Sequence, residues 1–270
     1  MKTVIILSIS SDIGAHLARK YLDRGDRVIG TYRSKTNLSS LSSYKNCHLV
    51  KCDVAKTADL KALAQKVKSL KVKWDAFVSC VGHPLPVVPF FEADFDEWSS
   101  SVYVNSIAQL RALHMLYPLR NRNADAVFFA GGGMNGTVLN FSAYTISKIM
   151  LAKMCEFLDA ETKDLNVFIV GPGWTKTKIH QTILGDKRTA TGKVKETKAF
   201  LKDKQGTSLD EIFECIDWLC GQGKKTASGR NFSVVYDPWR KDKRAKLVSA
   251  LSKDKDMYKI RRHGNHFLQR

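Results

Sequence analysis

Short apolar runs alternate along this chain with segments in which apolar residues recur every three or four positions. Residues 4–9 form an apolar run, and Ile13, Leu17 and Leu22 then follow at helical spacing. The first pattern predicts a buried strand and the second an amphipathic helix. Repeated along the chain, these patterns predict seven strands, at residues 4–9, 27–32, 48–52, 74–80, 125–130, 166–170 and 231–236. Helices are predicted after the first strand and at residues 58–70, 95–119, 142–158 and 209–219.

The regular alternation of strand and helix predicts the fold class. It favours parallel strands joined by right-handed crossovers, which form an α/β fold with a doubly wound parallel sheet and helices on both faces. Because α/β folds often use about 250 residues in one domain, we expect a single domain at residues 1–239, followed by an extension at 240–270. Such sheets bind ligands beyond the carboxyl ends of their strands, so the chemistry is expected just after the strands.

Composition narrows the class of protein. The chain has 270 residues, 44% of them hydrophobic, which excludes a disordered or collagen-like chain. No apolar run approaches the ~20 residues of a membrane span. The first apolar run is too short for a signal peptide, so we expect a first strand and a cytoplasmic protein. The six cysteines show no CxxC spacing, which predicts free thiols, with neither a disulfide framework nor a metal site.

The formal net charge is +18 and is unevenly distributed. Residues 240–270 hold eleven Lys or Arg and three Asp, and residues 176–204 hold nine Lys or Arg and three acids. A large positive charge is compatible with a nucleic-acid binder, a membrane-surface protein or an enzyme for anionic substrates. The chain shows no helix-turn-helix, RNA-recognition or zinc signature, so sequence-specific nucleic-acid binding is not expected.

A turn of small residues after the first strand is a candidate phosphate site. There, backbone N–H groups and the start of a helix can meet a pyrophosphate. The alternative is an ordinary capped helix start. The candidate residues are Ser8, Ser10, Ser11, Ile13 and Gly14.

Arg33 follows the second strand, with Tyr32 where an acidic residue would bind the ribose 2′-hydroxyl of NAD. An arginine at this place accommodates the 2′-phosphate of NADP. We therefore expect NADP(H) to be favoured over NAD(H). The alternative is an ordinary surface arginine.

Tyr144 and Lys148 are four residues apart in a predicted helix, which places both side chains on one face. A nearby ammonium favours the phenolate and is expected to lower the tyrosine pKa. The pair is therefore a candidate proton donor and acceptor beside a carbonyl or alcohol carbon. The alternative is a pair on a helix surface, because this spacing is common by chance.

Together these motifs resemble the classical short-chain dehydrogenases/reductases over about residues 3–236. The resemblance implies a Rossmann fold, NAD(P)-dependent hydride transfer, and a homodimer or homotetramer. The motifs, in order, are 8–14, Asp53-Val54, 78–82 ending in Gly82, Asn105, Tyr144 with Lys148, and 172–177.

The resemblance also implies roles for individual residues. Tyr144 protonates the carbonyl oxygen, Lys148 tunes Tyr144 and holds the nicotinamide ribose, and Asn105 anchors a water-linked proton relay. Asp53 and Val54 contact the adenine, and Gly82 lies against the cofactor. Residues of the segment after strand six hold the nicotinamide amide, and residues 173–208 form a substrate lid. The candidates in that segment are Pro172, Gly173, Thr175 and Thr177.

This sequence departs from the family pattern at several positions. Of the family's Asn-Asn-Ala-Gly stretch, residues 79–82 keep only Gly82. Ser8 and Asp12 replace the first two glycines of the phosphate turn, and Gly131 stands where the family has its catalytic serine. Three explanations are open for the missing hydroxyl. Backbone N–H groups of the glycine run replace it; Asn135, Thr137 or Ser142 replaces it; or the chain binds a cofactor without catalysing hydride transfer efficiently. Gly131, Asn135 and Trp174 are the candidate substrate contacts, and a core position is the alternative for Trp174.

A narrower resemblance, to bacterial reductases of surface-polysaccharide and nucleotide-sugar pathways, implies an anionic, phosphate-bearing substrate. The basic lid residues expected to face such a substrate are Lys176, Lys178, Lys187 and Arg188. In the basic extension, the apolar residues 247–251 predict an amphipathic helix on a partner subunit, with an anionic lipid surface or nucleic acid as alternatives. The resulting hypothesis is an NADP(H)-dependent oxidoreductase acting on a small carbonyl or hydroxyl compound. The alternative is a cofactor-binding protein that acts as a regulator or assembly partner.

Overall fold

A computed structural model of the chain describes residues 1–34, 38–203 and 205–262. Residue 204 of the predicted lid and residues 263–270 of the predicted extension lie outside the described residues. No helix in the described ranges is long and apolar enough to cross a membrane.

The centre of the fold is a sheet of seven strands in the order β3-β2-β1-β4-β5-β6-β7. Every neighbouring pair is parallel, so the predicted doubly wound parallel sheet is confirmed. Strand order reverses at β1 and β4, where the ends of the strands open a crevice for ligands. The strands are β1 (Thr3–Leu7), β2 (Arg27–Tyr32), β3 (Cys47–Lys51), β4 (Trp74–Ser79), β5 (Arg120–Phe129), β6 (Leu165–Gly171) and β7 (Asn231–Ser233).

Helices cover both faces of the sheet, and a separate apolar core lies between the sheet and the helices on each face. One core joins the sheet to α1, α8 and α9, and the other joins it to α2, α4 and α5. The helices are α1 (Asp12–Asp23), α2 (Thr57–Ser69), α3 (Phe95–Val102), α4 (Ala108–Leu116), α5 (Ser142–Glu161), α6 (Lys178–Gly185), α7 (Thr191–Lys202), α8 (Leu209–Cys220) and α9 (Arg244–Lys253).

Several elements differ from the predicted ones, among them β5, which begins at Arg120 and not at residue 125. The predicted helix at 95–119 contains a π-helical segment at Tyr103–Ile107 between α3 and α4. Strand β7 ends at Ser233, because the Ser233 N–H donates to the Asp237 carboxylate at 2.7 Å and turns the chain away. The lid contains α6 and α7, which the apolar pattern did not predict, because these helices bury few apolar side chains.

The described part of the basic extension packs on the body of this chain. Leu247 and Leu251 of α9 are buried in the core beside α1 and α8. The Arg230 guanidinium, itself buried, donates to the carbonyls of Leu251 and Asp254 at 2.8 and 3.1 Å. The apolar face of α9 therefore covers this chain's own core, and its basic residues remain at the surface.

Asp125 is a buried carboxyl group near the start of β5. It accepts a hydrogen bond from the Asn166 side chain at 3.1 Å. Burial raises the pKa of Asp125 to about 7, although the hydrogen bond from Asn166 opposes this shift. The folded protein therefore holds a proton here that the unfolded chain releases near its ordinary pKa of about 3.9.

This linkage predicts that Asp125 destabilises the fold as pH rises. A raised carboxyl pKa contributes stability that is present below the unfolded value and lost as pH rises through about 7. Asp125→Asn removes the titrating group, so its melting temperature should exceed that of the wild type at pH 8, with a much smaller difference at pH 4.5. Asp242→Asn, at an exposed position, is the control and should show no such trend. An equal difference at both pH values would contradict the prediction.

Candidate active site

A cleft of about 2060 Å³ runs along the carboxyl ends of the strands, and most of the predicted site residues line it. Pockets for small ligands are typically about 300–1,000 Å³, so this cleft has room for a dinucleotide and a small second molecule. The predicted residues that line it are Ser11, Ile13, Arg33, Gly82, Gly131, Asn135, Tyr144, Lys148, Pro172, Gly173, Trp174, Thr175 and Thr177. Those that do not are Ser8, Ser10, Gly14, Asp53, Val54 and Asn105.

The turn between β1 and α1 has the compact shape that the phosphate prediction requires. Ser8 takes a positive φ of 58°, which glycine adopts most easily, and its N–H donates to Thr31 Oγ1 at 3.0 Å. Ser11 caps α1 by accepting from the Gly14 N–H at 3.0 Å. A Cβ at Gly14 would lie 2.5 Å from the Ser8 carbonyl oxygen, so only glycine fits there.

The Asp12 carboxylate joins this turn to the lid. Its Oδ2 accepts from the Lys178 N–H, the first residue of α6, at 2.6 Å, and its Oδ1 lies 3.8 Å from Lys178 Nζ. The N-cap residue Thr177 makes no side-chain cap of its own, so Asp12 performs that function across 166 residues. The carboxylate also puts negative charge at the start of α1, where a pyrophosphate would bind.

Arg33 and the Asp53-Val54 pair lie differently with respect to the cleft. Arg33 is exposed and lines the cleft beyond β2, as its predicted contact with a 2′-phosphate requires. The Asp53 carboxylate accepts from the Ala55 N–H at 3.1 Å, and Val54 packs in the core with α2. The structure therefore does not bring this pair to the other site residues, and its adenine contact stays a prediction.

Tyr144 and Lys148 lie one turn apart on α5, at the floor of the cleft. Within the described ranges no protein group bonds to the Tyr144 hydroxyl. Lys148 is 1% exposed, and its Nζ donates to the Val81 carbonyl at 3.1 Å and lies 5.5 Å from the Tyr144 ring centre. The two side chains are thus held together without a direct hydrogen bond.

The expectation that Lys148 lowers the Tyr144 pKa is wrong for this state of the protein. Burial raises the pKa of Tyr144 to about 12 and lowers the pKa of Lys148 to about 8. Both shifts disfavour the charged form, as desolvation does. The Lys148 ammonium is directed to the Val81 carbonyl, so it does not stabilise a phenolate.

The backbone at Gly131 is covered by the Tyr144 ring. A Cβ at Gly131 would lie 2.4 Å from Tyr144 Cε1 and 3.2 Å from Lys148 Cγ. A serine side chain there requires the ring to move. The absence of the family's serine is therefore built into the packing of this site.

The candidates to replace that serine are not equivalent. The Ser142 hydroxyl accepts from Trp98 Nε1 at 3.0 Å and does not line the cleft. Asn135 and Thr137 line the cleft on an exposed loop. In the described structure the N–H groups of Gly131 and Gly132 have no protein acceptor, and both residues line the cleft.

Asn105 lies in the π-helical segment, fully buried behind the cleft. Its side chain accepts from the His83 N–H at 2.8 Å and donates to the His83 carbonyl at 2.7 Å. Its own carbonyl accepts from Gln109 Nε2 at 2.7 Å. Sequence reasoning missed Gln109, whose position in an apolar helix carries no signal of this contact. The water-linked relay through Asn105 stays a prediction.

The segment after β6 forms the far wall of the cleft. Thr175 is buried with its hydroxyl unpartnered, and the Thr175 carbonyl is 3.0 Å from His180 Nε2. Trp174 is 41% exposed and stacks on His180 with ring centres 6.0 Å apart. Lys193 Nζ lies over the Trp174 ring, 4.7 Å from its centre. Trp174 is therefore part of a cluster within the lid that also faces the cleft.

Most of the basic lid residues expected to face a substrate make contacts within the protein. Lys176 donates to the carbonyls of Leu201 and Asp203 at the end of α7. The Arg188 guanidinium binds Glu97 through two bonds of 2.7 and 2.9 Å. Of the four predicted residues, Lys178 lines the cleft, and it pairs with Asp12. The expectation was therefore wrong for Lys176 and Arg188, whose side chains bind carbonyls and carboxylates within the protein, and Lys187 does not line the cleft.

Taken together, the residues present fit a dinucleotide. The start of α1 meets the cleft at Ser11 and Ile13, Arg33 lines one end, and the buried, unpartnered Thr175 hydroxyl lies in the far wall. The close approach at Gly14 gives the turn the shape such ligands need. The Asp12 carboxylate opposes binding of the pyrophosphate by its charge.

Comparison with known proteins agrees with this geometry. The family described as Enoyl-(Acyl carrier protein) reductase matches residues 9–235. A Dehydrogenase/reductase SDR family protein 7-like from Dictyostelium discoideum is 27% identical over 67% of this chain and 61% of its own length, less than two thirds.

Two solved structures share the fold. A short chain dehydrogenase/reductase from Saccharomyces cerevisiae has a TM-score of 0.81 and 22% identity, over 90% of this chain and 99% of that one. A short chain dehydrogenase from Shigella flexneri, complexed with NADP, has a TM-score of 0.73 and 20% identity, over 86% of this chain and 96% of that one.

Asp12→Ala should loosen the lid and strengthen dinucleotide binding. The substitution removes the cap on α6, so amide hydrogen exchange at residues 178–185 should accelerate. It also removes a negative charge near the site expected for a pyrophosphate, so the affinity for NAD(P)H should rise about fivefold. Lys178→Ala keeps the backbone cap and is the control for the exchange measurement. Unchanged exchange in α6 would show that Asp12 does not hold the lid.

Gly131→Ser should destabilise the protein and not improve its activity. The new Cβ collides with the Tyr144 ring, and overpacking of this kind typically costs about 1–3 kcal/mol. The measurement is the melting temperature, with Gly136→Ser as the control in the same loop, where a Cβ meets nothing within 4 Å. If Gly131→Ser melts like Gly136→Ser, the Tyr144 ring moves freely and the steric argument is wrong.

Proposed function

This chain belongs to the short-chain dehydrogenase/reductase family, and on that premise we propose that it is an NADP(H)-dependent reductase of a small carbonyl compound. The observation that carries the proposal is the pairing of Tyr144 and Lys148 on one face of α5, at the floor of a cleft lined by the predicted dinucleotide residues. A single protein surface thereby offers a proton donor next to space for a cofactor and a substrate.

In this proposal Tyr144 supplies the proton. The nicotinamide cofactor, when bound, supplies the hydride. Because burial raises the pKa of Tyr144 to about 12, its hydroxyl is protonated at neutral pH and is ready to donate to a carbonyl oxygen. Lys148 is held in place by the Val81 carbonyl and completes the floor of the site.

Arg33 supports the NADP(H) preference. Its guanidinium lines the cleft at the end of β2, where a 2′-phosphate would lie. The described neighbours of Arg33 on the chain, Tyr32 and Ser34, include no carboxylate to hold the NAD ribose. The NADP complex of the Shigella flexneri protein, which has the same fold, is compatible with this preference.

For the missing serine, we propose that backbone N–H groups of the glycine run polarise the substrate carbonyl. The N–H groups of Gly131 and Gly132 have no protein acceptor in the described structure, and both residues line the same cleft as Tyr144. Fixed N–H donors of this kind stabilise a developing oxyanion, and a single donor is worth about 10²–10³ in rate.

A second candidate function is favoured by two observations. The Tyr144 ring lies against the backbone where a substrate-polarising hydroxyl would stand, and Asp12 brings negative charge to the phosphate turn. Both features suit a cofactor-binding protein with little redox turnover that acts as a regulator or assembly partner. The two candidates differ in whether Tyr144 is needed for turnover.

The proposal extends to substrate and assembly. For an anionic substrate such as a sugar derivative, Lys193 in the cleft wall is the proposed contact, in exchange for its present ion pair with Glu196 at 2.8 Å. Ile146, Met150 and Phe157 expose 37–51% of their surface along α5. This apolar stripe supports the proposed homodimer or homotetramer of a cytoplasmic protein.

Tyr144→Phe and Arg33→Ala should affect different steps. With a panel of small carbonyl compounds, Tyr144→Phe should reduce NADPH consumption by about 10²–10⁴-fold, the typical contribution of a positioned acid. Its NADPH affinity should stay within about twofold, because the hydroxyl holds no cofactor phosphate. Arg33→Ala should keep turnover with NADH and lose the preference for NADPH.

Each variant serves as the control for the other. Loss of turnover in Tyr144→Phe with retained NADPH binding supports the reductase. If Tyr144→Phe consumes NADPH at the same measurable rate as the wild type, the reductase proposal through Tyr144 fails. If the wild type binds NADPH and does not consume it with any carbonyl compound, the second candidate function stands. Tighter binding of NADH than of NADPH by the wild type would overturn the cofactor preference.

A further inference from the structure

Gln109 lies behind the floor of the cleft and is 0% exposed. It follows the π-helical segment Tyr103–Ile107 on α4. Within a π-helical segment the backbone bonds shift by one residue, which leaves carbonyl groups to be satisfied in another way. The Gln109 carboxamide faces that irregular backbone.

Both ends of the Gln109 carboxamide are hydrogen-bonded. Nε2 donates to the Asn105 carbonyl at 2.7 Å and also lies 3.4 Å from the Val104 carbonyl and 3.5 Å from the Val81 carbonyl. Oε1 accepts from the Ser79 hydroxyl at 2.6 Å. The three backbone carbonyls fix which end of the amide faces Val81, because a carbonyl oxygen only accepts hydrogen bonds and therefore requires the NH₂ end.

The Val81 carbonyl is the meeting point of two donors. Lys148 Nζ approaches it at 3.1 Å and Gln109 Nε2 at 3.5 Å. The next residue along this segment, Gly82, lines the cleft, and His83 beyond it is held by the Asn105 side chain. The backbone at 81–83 is therefore fixed from behind by Gln109 and Asn105, and Lys148 rests on it.

We propose that Gln109 is a positioning residue for the reductase, which holds the Val81 carbonyl and the π-helical segment so that Lys148 is fixed beside Tyr144. This inference rests on the proposed function, because the effect on turnover presupposes that Tyr144 and Lys148 catalyse a reaction. The neutral amide also matters. An uncharged donor holds the carbonyl without adding a second charge beside the buried ammonium.

Three substitutions test the proposal. Gln109→Met keeps the side-chain volume and removes the two N–H donors of the carboxamide together with its acceptor oxygen. Gln109→Glu keeps the shape, donates one hydrogen bond when protonated and carries a negative charge when ionised. Ser106→Ala is the matched control, because Ser106 is also fully buried in the π-helical segment, and its hydroxyl donates to the Val102 carbonyl at 2.5 Å, away from Lys148.

For Gln109→Met we expect kcat to fall about tenfold, the scale of one lost hydrogen bond, with KM changed less than about twofold. For Gln109→Glu we expect kcat to recover as pH is lowered, because protonation of the new carboxyl group restores a donor to the carbonyls. Ser106→Ala should keep the wild-type kcat and pH profile. Melting temperatures identify any variant whose fold is lost.

A second measurement needs no turnover. The ¹³Cε signal of Lys148 in lysine-labelled protein, assigned with Lys148→Met, reports the titration of its ammonium. The titratable groups nearest to it are Tyr144 on the same helix and Cys80 after β4. In Gln109→Met, which adds no charge, the titration midpoint of Lys148 should fall, since the Val81 carbonyl that stabilises the ammonium is no longer held in place, whereas Ser106→Ala should leave the midpoint unchanged.

The outcomes separate the two hypotheses. If the wild type consumes no NADPH with any carbonyl compound, the proposed function fails, and a lowered Lys148 midpoint in Gln109→Met still supports the positioning role. If turnover depends on Tyr144 but Gln109→Met behaves like Ser106→Ala in kcat, and the Lys148 midpoint in Gln109→Met equals that of the wild type, the positioning role is wrong.

Discussion

A buried ammonium group sets the conditions that the candidate site has to meet. Lys148 is almost fully enclosed, and among the described residues no carboxylate pairs with it. Removing an ammonium from water is costly unless polar groups replace the water, and here the replacement is a backbone carbonyl at 3.1 Å. That carbonyl has to be held in place, so strand β4, the π-helical segment and helix α5 have to meet at one point. The pKa of Lys148 is lowered because this carbonyl replaces only part of the hydration that the ammonium loses on burial.

The features that were predictable from the sequence depend on short-range geometry. Strands of the parallel sheet follow from apolar runs, and the shared face of Tyr144 and Lys148 follows from their spacing of four on a helix. Arg33 was placed in the cleft because the residue after β2 in a doubly wound sheet always lies near the crevice. In each case one element, with its known geometry, determines where the side chain is directed.

Other features depend on contacts between distant parts of the chain. Gln109 contacts Ser79 and Val81, which are about thirty positions away in the sequence. No sequence pattern around Gln109 predicts these contacts. In the sequence, Asp12 is a departure from the usual phosphate turn. In the structure its carboxylate accepts from the first N–H of α6, a lid helix that the apolar pattern did not predict. The basic residues of the lid can be counted in the sequence. Their partners, which include carbonyls at the end of α7 and the Glu97 carboxylate, can be identified only from the fold.

The π-helical segment at Tyr103–Ile107 has a consequence for how the chain tolerates insertions and deletions. Such a segment is equivalent to an α-helix that carries one surplus residue. Because each residue of an α-helix turns the chain by about 100°, losing that residue would rotate α3 against α4 by more than a quarter turn. Asn105 would then leave His83, and Trp98 on α3 would leave Ser142. Deleting one residue here would therefore separate two walls of the cleft, although the helix itself would remain continuous.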